Sequence, residues 1–478
     1  MFIRPLEFLP PGGGGAASSP ARAKADAPAP PPLGRRRQRR RWYVPLPAKF
    51  ALALLCSLLW AGLSVDLSLP WLGDLTAFAG FWLSLLVITF IAYVPGFMNV
   101  FMMASILADR RPPREPVRHY PDVCVLIACY NERENIVDTL KSLARQDYPG
   151  RVSILVIDDG STDGSLPLAL KAAARLSRRK MRMAVLPLLR NGGKSRALNI
   201  GLRITSEPLV VTVDGDSYLQ RNALRLLVER FLSDPPNTVA VAGCVLVRNS
   251  RQNMLTRVQE WDYFHGIAAV KRMQSMYHGT LVAQGAFSVY TRQALAEVGG
   301  WPECVGEDIV LSWALLKTGA RIGYCEEACL FTKVPTTIKQ FSRQRQRWSR
   351  GLMEAFARHA SLLFKPRLST LFIWWNLLFL PMDLVYTLAF IPGVVAALFG
   401  YHWVAGIMTL IILPLAGIWN GVIFFVQARM FRRRKLKVRK NIRGFLLYTV
   451  AYSLLLQPVC VMGYMAELLR LRKTWGTK

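Results

Sequence analysis

The chain has 478 residues, and its 61 Lys and Arg against 30 Asp and Glu give it a formal net charge of +31. Because 52% of its residues are hydrophobic, a disordered basic protein is excluded for most of the chain, and a soluble nucleic-acid binder would be unusually apolar. A long central stretch has the pattern of an ordinary α/β domain, which argues against a pure membrane bundle. We therefore expect a membrane-embedded protein with one globular domain and basic flanks.

The N-terminal part combines low complexity with positive charge. Residues 11–33 are rich in Gly, Ala and Pro, and six arginines follow between positions 35 and 41. Such a composition does not form a hydrophobic core. We predict that residues 1–45 are a disordered basic tail on the cytoplasmic side of a membrane.

Two uncharged segments before the central stretch predict membrane helices. Residues 50–65 carry no charge, and neither do residues 75–108. The second segment is longer than the about 20 residues that cross a bilayer, so we expect it to tilt or to kink near Pro95. We predict two transmembrane helices within residues 46–108, joined by a turn at 66–76.

Further uncharged segments follow the central stretch. Residues 371–382 and 384–428 predict two more transmembrane helices, with a turn near Tyr401. After a basic loop at 429–443, a last uncharged segment predicts a fifth helix, followed by a tail, within residues 444–478.

Basic residues in the short loops predict the orientation. Lys and Arg gather on the cytoplasmic side of membrane proteins. Segment 429–443 has nine basic residues and no acidic one, whereas the turn 66–76 has no Lys or Arg. With two spans before the domain and three after it, the basic loops and the domain all lie in the cytoplasm, and only the tail with Arg470, Arg472 and Lys473 falls outside. The loops on that side include Arg110, Arg111, Arg114 and Arg118.

Residues 119–336 show short β-rich runs that alternate with helical periodicity. Alternation of this kind predicts an α/β domain with a sheet rich in parallel strands, whose ligands gather beyond the carboxyl ends of the strands. Residues 337–370 contain the sequence QRQRW and predict interfacial helices. The predicted helices of the domain are 134–145 and 222–231, and the predicted strands are 123–129, 152–157, 181–188, 209–213, 239–247 and 281–290.

Polar clusters follow several of these strands. Tyr130 follows the first, and Asp158 and Asp159 follow the second, where a carboxylate can accept from a nucleotide base or a ribose hydroxyl. A plain turn that caps a helix explains the same residues. Lys194, after two glycines, offers a charge to a phosphate, although the spacing is not that of a P-loop.

Acidic residues form two more clusters. Asp214 and Asp216 come directly after an apolar strand, which favours a hard cation such as Mg²⁺ or Mn²⁺ bridging a diphosphate over a solvated loop. Glu307 and Asp308 open an apolar helical run, where helix capping is the alternative. The last cluster, Gln344, Arg345, Arg347 and Trp348, also suits an amphipathic interfacial helix.

The order of these motifs, from the DDGS turn through DGD and GED to QRQRW, resembles the processive family-2 glycosyltransferases, which include cellulose, chitin, hyaluronan and poly-N-acetylglucosamine synthases. The resemblance covers about residues 122–363 and is greatest to bacterial poly-N-acetylglucosamine synthases. It implies a GT-A fold, a UDP-sugar donor, Mg²⁺ or Mn²⁺, inversion at the anomeric carbon, and passage of the growing polymer through the enzyme's own membrane helices.

The resemblance also implies roles, residue by residue. Asp159 matches the residue that contacts uridine, with Asp158 beside it. Asp214 and Asp216 match the metal and diphosphate ligands, and Asp308 matches the general base, next to Glu307. The remaining matches are to donor-site neighbours and to the box near the diphosphate and acceptor sugar: Tyr130, Lys194, Gln344, Arg345, Arg347 and Trp348.

We therefore expect a synthase of a β-linked exopolysaccharide from UDP-N-acetylglucosamine, in the inner membrane of a bacterium. Another sugar nucleotide such as UDP-glucose, a non-processive lipid-linked glycosyltransferase, and a transporter or scaffold that only binds nucleotide remain alternatives. The expected partners are the donor, the growing polysaccharide and membrane lipid, with a small membrane accessory subunit and cyclic-di-GMP as further candidates. Nucleic acid is not an expected partner, because the basic excess lies in membrane-flanking loops.

Overall fold

The computed structural model describes residues 44–109, 117–277, 279–433 and 439–472. Most of the predicted N-terminal tail therefore lies outside the described residues. The same holds for Arg110, Arg111, Arg114, the centre of the basic loop 429–443, and Lys473.

Within the described residues, eight strands form a single mixed sheet. In chain order, β1 to β8 are Val123–Cys129, Val152–Asp158, Met181–Pro187, Leu209–Val213, Tyr218–Leu219, Thr238–Val247, Phe287–Thr291 and Arg321–Thr332. The spatial order is β3-β2-β1-β4-β7-β6-β8-β5. Strands β3, β2, β1 and β4 are parallel to one another, and β7 is antiparallel to both of its neighbours. The predicted α/β class, with a parallel-rich sheet, is confirmed.

Strand β1 shows why the sheet lies at the centre of the domain. Its run of apolar residues is buried on both faces, as parallel strands covered by helices require. Cys124 and Leu126 belong to one hydrophobic core, and Val123, Val125 and Ile127 to the core on the other face. Each core is covered by helices that follow the strands.

Two parts of the sheet differ from the prediction. In the predicted strand 281–290 only the second half is extended into β7, because the first half is held as a loop by the Ser312 hydroxyl, which accepts from the Ala283 amide at 2.8 Å. Strands β5 and β8 were not predicted. The pairing of β8 with β6 shifts register between Cys325 and Cys329, so the acidic residues between them bulge and break the alternating pattern.

The helices of the globular domain flank the sheet. Residues 254–276 form a long helix with a π-helical centre, which we call the connecting helix. Ile338–His359 is the QRQRW helix, and a 3₁₀ turn, Ala360–Phe364, follows it. The other helices are Ile136–Ala144, Ser165–Leu176, Lys194–Ile204, Ala223–Ser233, Arg292–Glu297 and Glu307–Lys317.

Among the described residues, three helices are long and apolar enough to cross a membrane: Leu46–Ala79, Phe81–Leu107 and Thr370–Leu398. Ile407–Arg433 is a further 27-residue helix. The segment predicted as a fifth span is instead a helix pair, Ile442–Val450 and Tyr452–Leu468, bent by 54°. This pair is either a broken span or a re-entrant segment.

The predicted turn at 66–76 is wrong, because the first helix continues to Ala79 and the chain turns at Gly80, whose φ is 78°. Packing keeps this end helical. The Trp71 indole donates to the Trp403 carbonyl at 2.9 Å, and the Phe78 ring stacks on Trp403 with centroids 4.3 Å apart. Such contacts with a residue more than 300 positions away are not visible in local sequence.

The second and third of these apolar helices each contain a π-helical segment just before a proline. Thr89–Tyr93 precedes Pro95, near which we predicted a kink, and Tyr386–Phe390 precedes Pro392. A proline has no amide proton and displaces the carbonyl one turn earlier, so a wider turn relieves both problems.

Candidate active site

The loops that follow β1, β2 and β4 meet at one edge of the sheet, because these strands are parallel and adjacent. Tyr130 follows β1 and is 47% exposed at this edge. The Asp159 amide donates to the Cys129 carbonyl at 2.8 Å, which ties the first two loops together. The predicted clusters after these strands are therefore neighbours in space.

Asp158 and Asp159 are both buried, but their carboxylates have different surroundings. The Asp159 oxygens accept from the amides of Gly192 and Gly193 at 2.9 and 2.7 Å, so this side chain shapes the glycine loop before Lys194. Asp158 accepts from the Ser161 amide through Oδ2 at 3.2 Å, while its Oδ1 has no hydrogen-bond partner among the described residues. Among the described residues, Asp158 thus keeps one buried oxygen that has no hydrogen-bond donor, whereas both Asp159 oxygens have one.

Lys194 links two of the acidic clusters. Its Nζ lies 2.6 Å from Asp214 Oδ1 and 3.4 Å from Glu307 Oε1. Burial lowers the pKa of Lys194, but the charges of Asp214 and Glu307 outweigh burial and hold it above its ordinary value. The lysine is therefore a fixed positive charge between the DGD and GED motifs.

Asp216 carries the most perturbed carboxylate of the DGD motif. It accepts from the Thr332 hydroxyl at 3.2 Å. Burial, followed by the charges of Asp214 and Glu132, raises the pKa of Asp216 to about 7. Glu132, in the loop after β1, was not among the predicted site residues; its only sequence signal was its place beside Tyr130.

Asp214 and Asp216 would coordinate a divalent cation only together with further oxygen atoms, such as those of a bound diphosphate. No group of three or more His, Cys, Asp or Glu side chains within the described chain is arranged to hold a metal. Asp214 and Asp216 supply two hard oxygen donors, and the charges of Asp214 and Glu132 add to burial in raising the pKa of Asp216. Mg²⁺ commonly binds to one or two carboxylates and completes its shell with phosphate oxygens and water. The residues present fit that arrangement.

Glu307 and Asp308 begin a helix, as predicted, and point to different environments. Glu307 is buried; burial raises its pKa, and the charge of Lys194 partly offsets this effect. Asp308 is half-buried, and its Oδ2 accepts from the Gly285 amide at 3.4 Å. Asp308 therefore has the more open carboxylate of the two.

The QRQRW helix packs directly on the start of the GED helix. The Glu354 carboxylate accepts from the Gly306 amide at 2.9 Å. A Cβ on Gly351 would lie 2.7 Å from the Gly306 Cα, so the two backbones touch where neither residue has a side chain. This contact sets the distance between Asp308 and the QRQRW residues.

The residues of the QRQRW sequence separate into different roles. Trp348 is 38% exposed, whereas the Arg345 guanidinium is buried, lies 4.1 Å from the Trp348 ring and pairs with Asp262 at 2.7 Å. Arg345 thus supports the tryptophan rather than reaching the DGD motif. The positive charge of Arg347 lowers the pKa of Glu307, which locates Arg347 on the GED side. The Gln344 Oε1 is buried without a hydrogen-bond partner among the described residues.

Lys271 is a buried site neighbour that sequence reasoning missed. Its Nζ donates to the Val282 carbonyl, in the loop that also carries Gly285. Burial lowers the pKa of Lys271 to about 7, although the charge of Asp308 acts in the opposite direction. A single lysine in the apolar part of the connecting helix was the available signal.

A family model described as "Glycosyltransferase like family 2" matches residues 121–351, which contain all of these motifs. The poly-beta-1,6-N-acetyl-D-glucosamine synthase of Staphylococcus aureus (strain COL) is 30% identical over 295 residues, which cover 59% of this chain and 70% of that protein. The chain belongs to glycosyltransferase family 2. A synthase of the same name from Staphylococcus epidermidis is 31% identical over 252 residues, covering 52% of this glycosyltransferase and 59% of the relative.

Solved structures support the fold. A mannosyltransferase from Pyrobaculum calidifontis, solved in complex with GDP-Man and Mn²⁺, superimposes with a TM-score of 0.55 at 20% identity, over 81% of this glycosyltransferase and 99% of that chain. The predicted GT-A fold, with apolar helices at both ends, and the predicted enzyme class are confirmed. The protein is a family-2 glycosyltransferase related to poly-N-acetylglucosamine synthases.

Proposed function

We propose that this glycosyltransferase is a membrane-embedded, inverting and processive enzyme that polymerises a β-linked polysaccharide from a UDP-sugar, with UDP-N-acetylglucosamine as donor. The observation that carries the proposal is the contact of Lys194 with both Asp214 and Glu307, beside Asp308 and under the QRQRW helix. Diphosphate ligands, a base and an acceptor platform are thereby collected at one edge of the sheet. The likeness to poly-N-acetylglucosamine synthases supports the choice of sugar.

In this proposal the donor binds along the carboxyl ends of β1, β2 and β4. The Asp158 Oδ1 accepts from the uracil ring, and Asp159 holds the glycine loop through the Gly192 and Gly193 amides. Asp214 and Asp216 would hold a divalent cation, Mg²⁺ or Mn²⁺, which neutralises charge on the leaving diphosphate when bound. The Mn²⁺ and GDP-Man of the mannosyltransferase complex agree with metal-assisted use of a nucleotide sugar. Lys194 would exchange its contact with Asp214 for the diphosphate.

The transfer step needs one base. The Asp308 carboxylate takes the proton of the acceptor hydroxyl as its oxygen bonds to the anomeric carbon, and the bond from that carbon to the UDP oxygen breaks. UDP leaves as the anion, stabilised by Lys194 and Arg347. The Arg345 guanidinium packs on the Trp348 ring, and this ring is available to stack on an acceptor sugar. A single base on the face opposite the leaving group leads to inversion.

We further propose that the catalytic domain faces the cytoplasm at a bacterial inner membrane, since the basic loops beside the membrane helices favour that orientation. Membrane lipid and the growing polysaccharide are the proposed partners besides the donor. The small accessory subunit and cyclic-di-GMP stay predictions from the family resemblance.

The test of the proposed function is to incubate membranes that contain the protein with labelled UDP-N-acetylglucosamine, UDP-glucose and other sugar nucleotides. We expect a polymer from UDP-N-acetylglucosamine alone, made only when Mg²⁺ or Mn²⁺ is present, and linkage analysis then identifies the bond. Polymer from a different donor would correct the sugar. A product of one transferred sugar on a lipid would contradict processive synthesis.

Asp308→Asn tests the base. We expect polymer synthesis to fall by about 100-fold or more, because an amide cannot take the proton. Binding of UDP, measured by calorimetry, should stay within about twofold of the wild type, since Asp308 has no role in donor binding. Glu297→Gln, at an exposed position elsewhere in the domain, is the control. Equal loss of UDP binding and of synthesis in Asp308→Asn would contradict the role of base.

A further inference from the structure

The start of the C-terminal helix pair, residues 442–468, is hydrogen-bonded to the catalytic domain. The side-chain amide of Asn441 donates to the Arg257 carbonyl at 2.8 Å and to the Glu260 carboxylate at 2.7 Å. The indole of Trp261 donates to the Asn441 carbonyl at 2.9 Å. All three partners lie on the connecting helix, so the pair begins on the side of the membrane that holds the domain.

The end of the helix pair contacts the same domain, through the QRQRW helix. The buried guanidinium of Arg350, on the QRQRW helix, lies 3.0 Å from the Glu467 carboxylate. It also donates to the carbonyls of Leu471 at 2.7 Å and Arg472 at 3.4 Å. A transmembrane helix would carry its two ends to opposite sides, whereas both ends here contact one domain.

The second helix of the pair, Tyr452–Leu468, runs beside the QRQRW helix. Tyr452 packs on Phe341 with ring centroids 6.0 Å apart, and further along, Gly463 lies so close to Ser349 that a Cβ would clash. The QRQRW helix carries six Lys and Arg residues and is therefore too charged to lie inside a bilayer. The second helix of the pair packs along it and also contacts the proposed membrane helix Thr370–Leu398, whose Asp383 accepts from the Tyr464 hydroxyl at 2.8 Å, so it lies where the domain meets the membrane.

The outward face of the second helix suits such a location. Met465 and Leu468 are 46% and 63% exposed, which leaves apolar surface open to lipid. Neither helix alone reaches the about 20 residues that span a bilayer, because the pair bends by 54° at Ala451.

We propose that residues 442–472 do not cross the membrane but form a re-entrant clamp on the catalytic side, which positions the QRQRW helix through the Arg350–Glu467 ion pair. The location of the clamp is independent of the enzyme's substrate, and its effect on elongation rests on the proposed function. Arg470 and Arg472 then lie on the same side as the other basic loops. The membrane helices are Leu46–Ala79, Phe81–Leu107, Thr370–Leu398 and Ile407–Arg433.

The clamp acts on the acceptor side of the site. Arg350 lies on the same helix as Arg345, whose guanidinium supports the Trp348 ring at 4.1 Å. Asp158, Lys194 and Asp214 lie on other elements and have no described contact with the clamp. Loss of the ion pair should therefore disturb the acceptor platform and leave donor binding intact.

The location is tested by reporter fusions to the full chain in bacterial cells. With a fusion after residue 478, we expect green fluorescent protein to fluoresce and alkaline phosphatase to be inactive, because the tail is cytoplasmic. A fusion after residue 402, between two proposed membrane helices, is the control and should give the reverse. Active phosphatase after residue 478 would overturn the clamp and restore a fifth span.

The positioning role is tested by Glu467→Gln in membranes. We expect elongation, measured as mean polymer length, to fall by about tenfold, while the Kd for UDP stays within about twofold. Glu467→Asp should restore part of the length, Trp348→Ala provides the reference for a lost acceptor platform, and Glu297→Gln provides the control for an exposed charge. Wild-type polymer length in Glu467→Gln, or equal loss of UDP binding, would overturn the positioning role. If the wild type makes no polymer from any donor, the proposed function fails, and the fusions still decide the location.

Discussion

Asp158 and Asp159 are neighbours in sequence, but their carboxylates have different hydrogen-bond partners. The family resemblance assigns Asp159 to uridine, whereas in the structure both of its oxygens accept backbone amides from the glycine loop. Asp158 keeps one buried oxygen without a described partner. A carboxylate that already has two donors gains little from a third, so we propose that Asp158 contacts the uracil.

The two substitutions should have different effects. Asp158→Asn should weaken UDP binding by about 10- to 100-fold, the cost of a hydrogen bond to a charged group, with little change in thermal stability. Asp159→Asn leaves one of two buried amides without its acceptor and should lower stability by about 1–3 kcal/mol. Calorimetry with UDP and thermal unfolding of the purified protein measure both. The opposite pattern would return the uridine contact to Asp159.

At the scale of elements, the active site depends on the contact between two helices. The GED helix carries Asp308 and the QRQRW helix carries Trp348, and they meet where Gly306 faces Gly351. Two glycines allow the backbones to approach more closely than any pair of side chains would. Glu354 fixes the approach by accepting from the Gly306 amide. The proposed base and the proposed acceptor platform are thus held by one packing contact.

Gly351→Val should break this contact. The added side chain would start 2.7 Å from the Gly306 Cα and would push the helices apart. We expect a loss of about 1–3 kcal/mol in stability and a fall of about 100-fold in polymer synthesis, as for other small displacements of catalytic groups. Gly417→Val, in a helix where a Cβ meets nothing within 4 Å, is the control. Normal synthesis by Gly351→Val would show that the close approach is not needed.

At the scale of the whole molecule, buried polar contacts join the glycosyltransferase domain to its N-terminal apolar helices. Asp109, at the end of the second membrane helix, pairs with Arg272 of the connecting helix at 2.6 Å, and both side chains are buried. The Ser105 and Tyr277 hydroxyls lie 3.0 Å apart beside this pair. These buried contacts hold the second apolar helix against the domain.

Replacing only one residue of this pair should lower the free energy of unfolding more than replacing both. Arg272→Met alone leaves the buried Asp109 carboxylate without its main partner, which costs about 3–5 kcal/mol for buried pairs. The double variant Asp109→Leu/Arg272→Met removes both charges and should recover most of that loss. Thermal unfolding in detergent compares the wild type, the single variants Arg272→Met and Asp109→Leu, and the double variant. A double variant as unstable as the sum of both single variants would show that the two residues act independently.

Local patterns in the sequence determined much of this protein. Uninterrupted apolar runs located strands β1 and β4 to the residue, and the order of the DDGS, DGD, GED and QRQRW motifs led to the family. These features depend on neighbouring residues, so periodicity and spacing reveal them. The apolar segments likewise predicted helices long enough for a membrane.

Only the tertiary structure decided which residues meet. It placed Lys194 between Asp214 and Glu307 and paired Arg345 with Asp262, 83 positions earlier. It also extended the first helix to Ala79 and bent the last one. Each of these outcomes comes from packing or charge pairing between distant segments, which compete with local preference and leave no periodic trace in the chain.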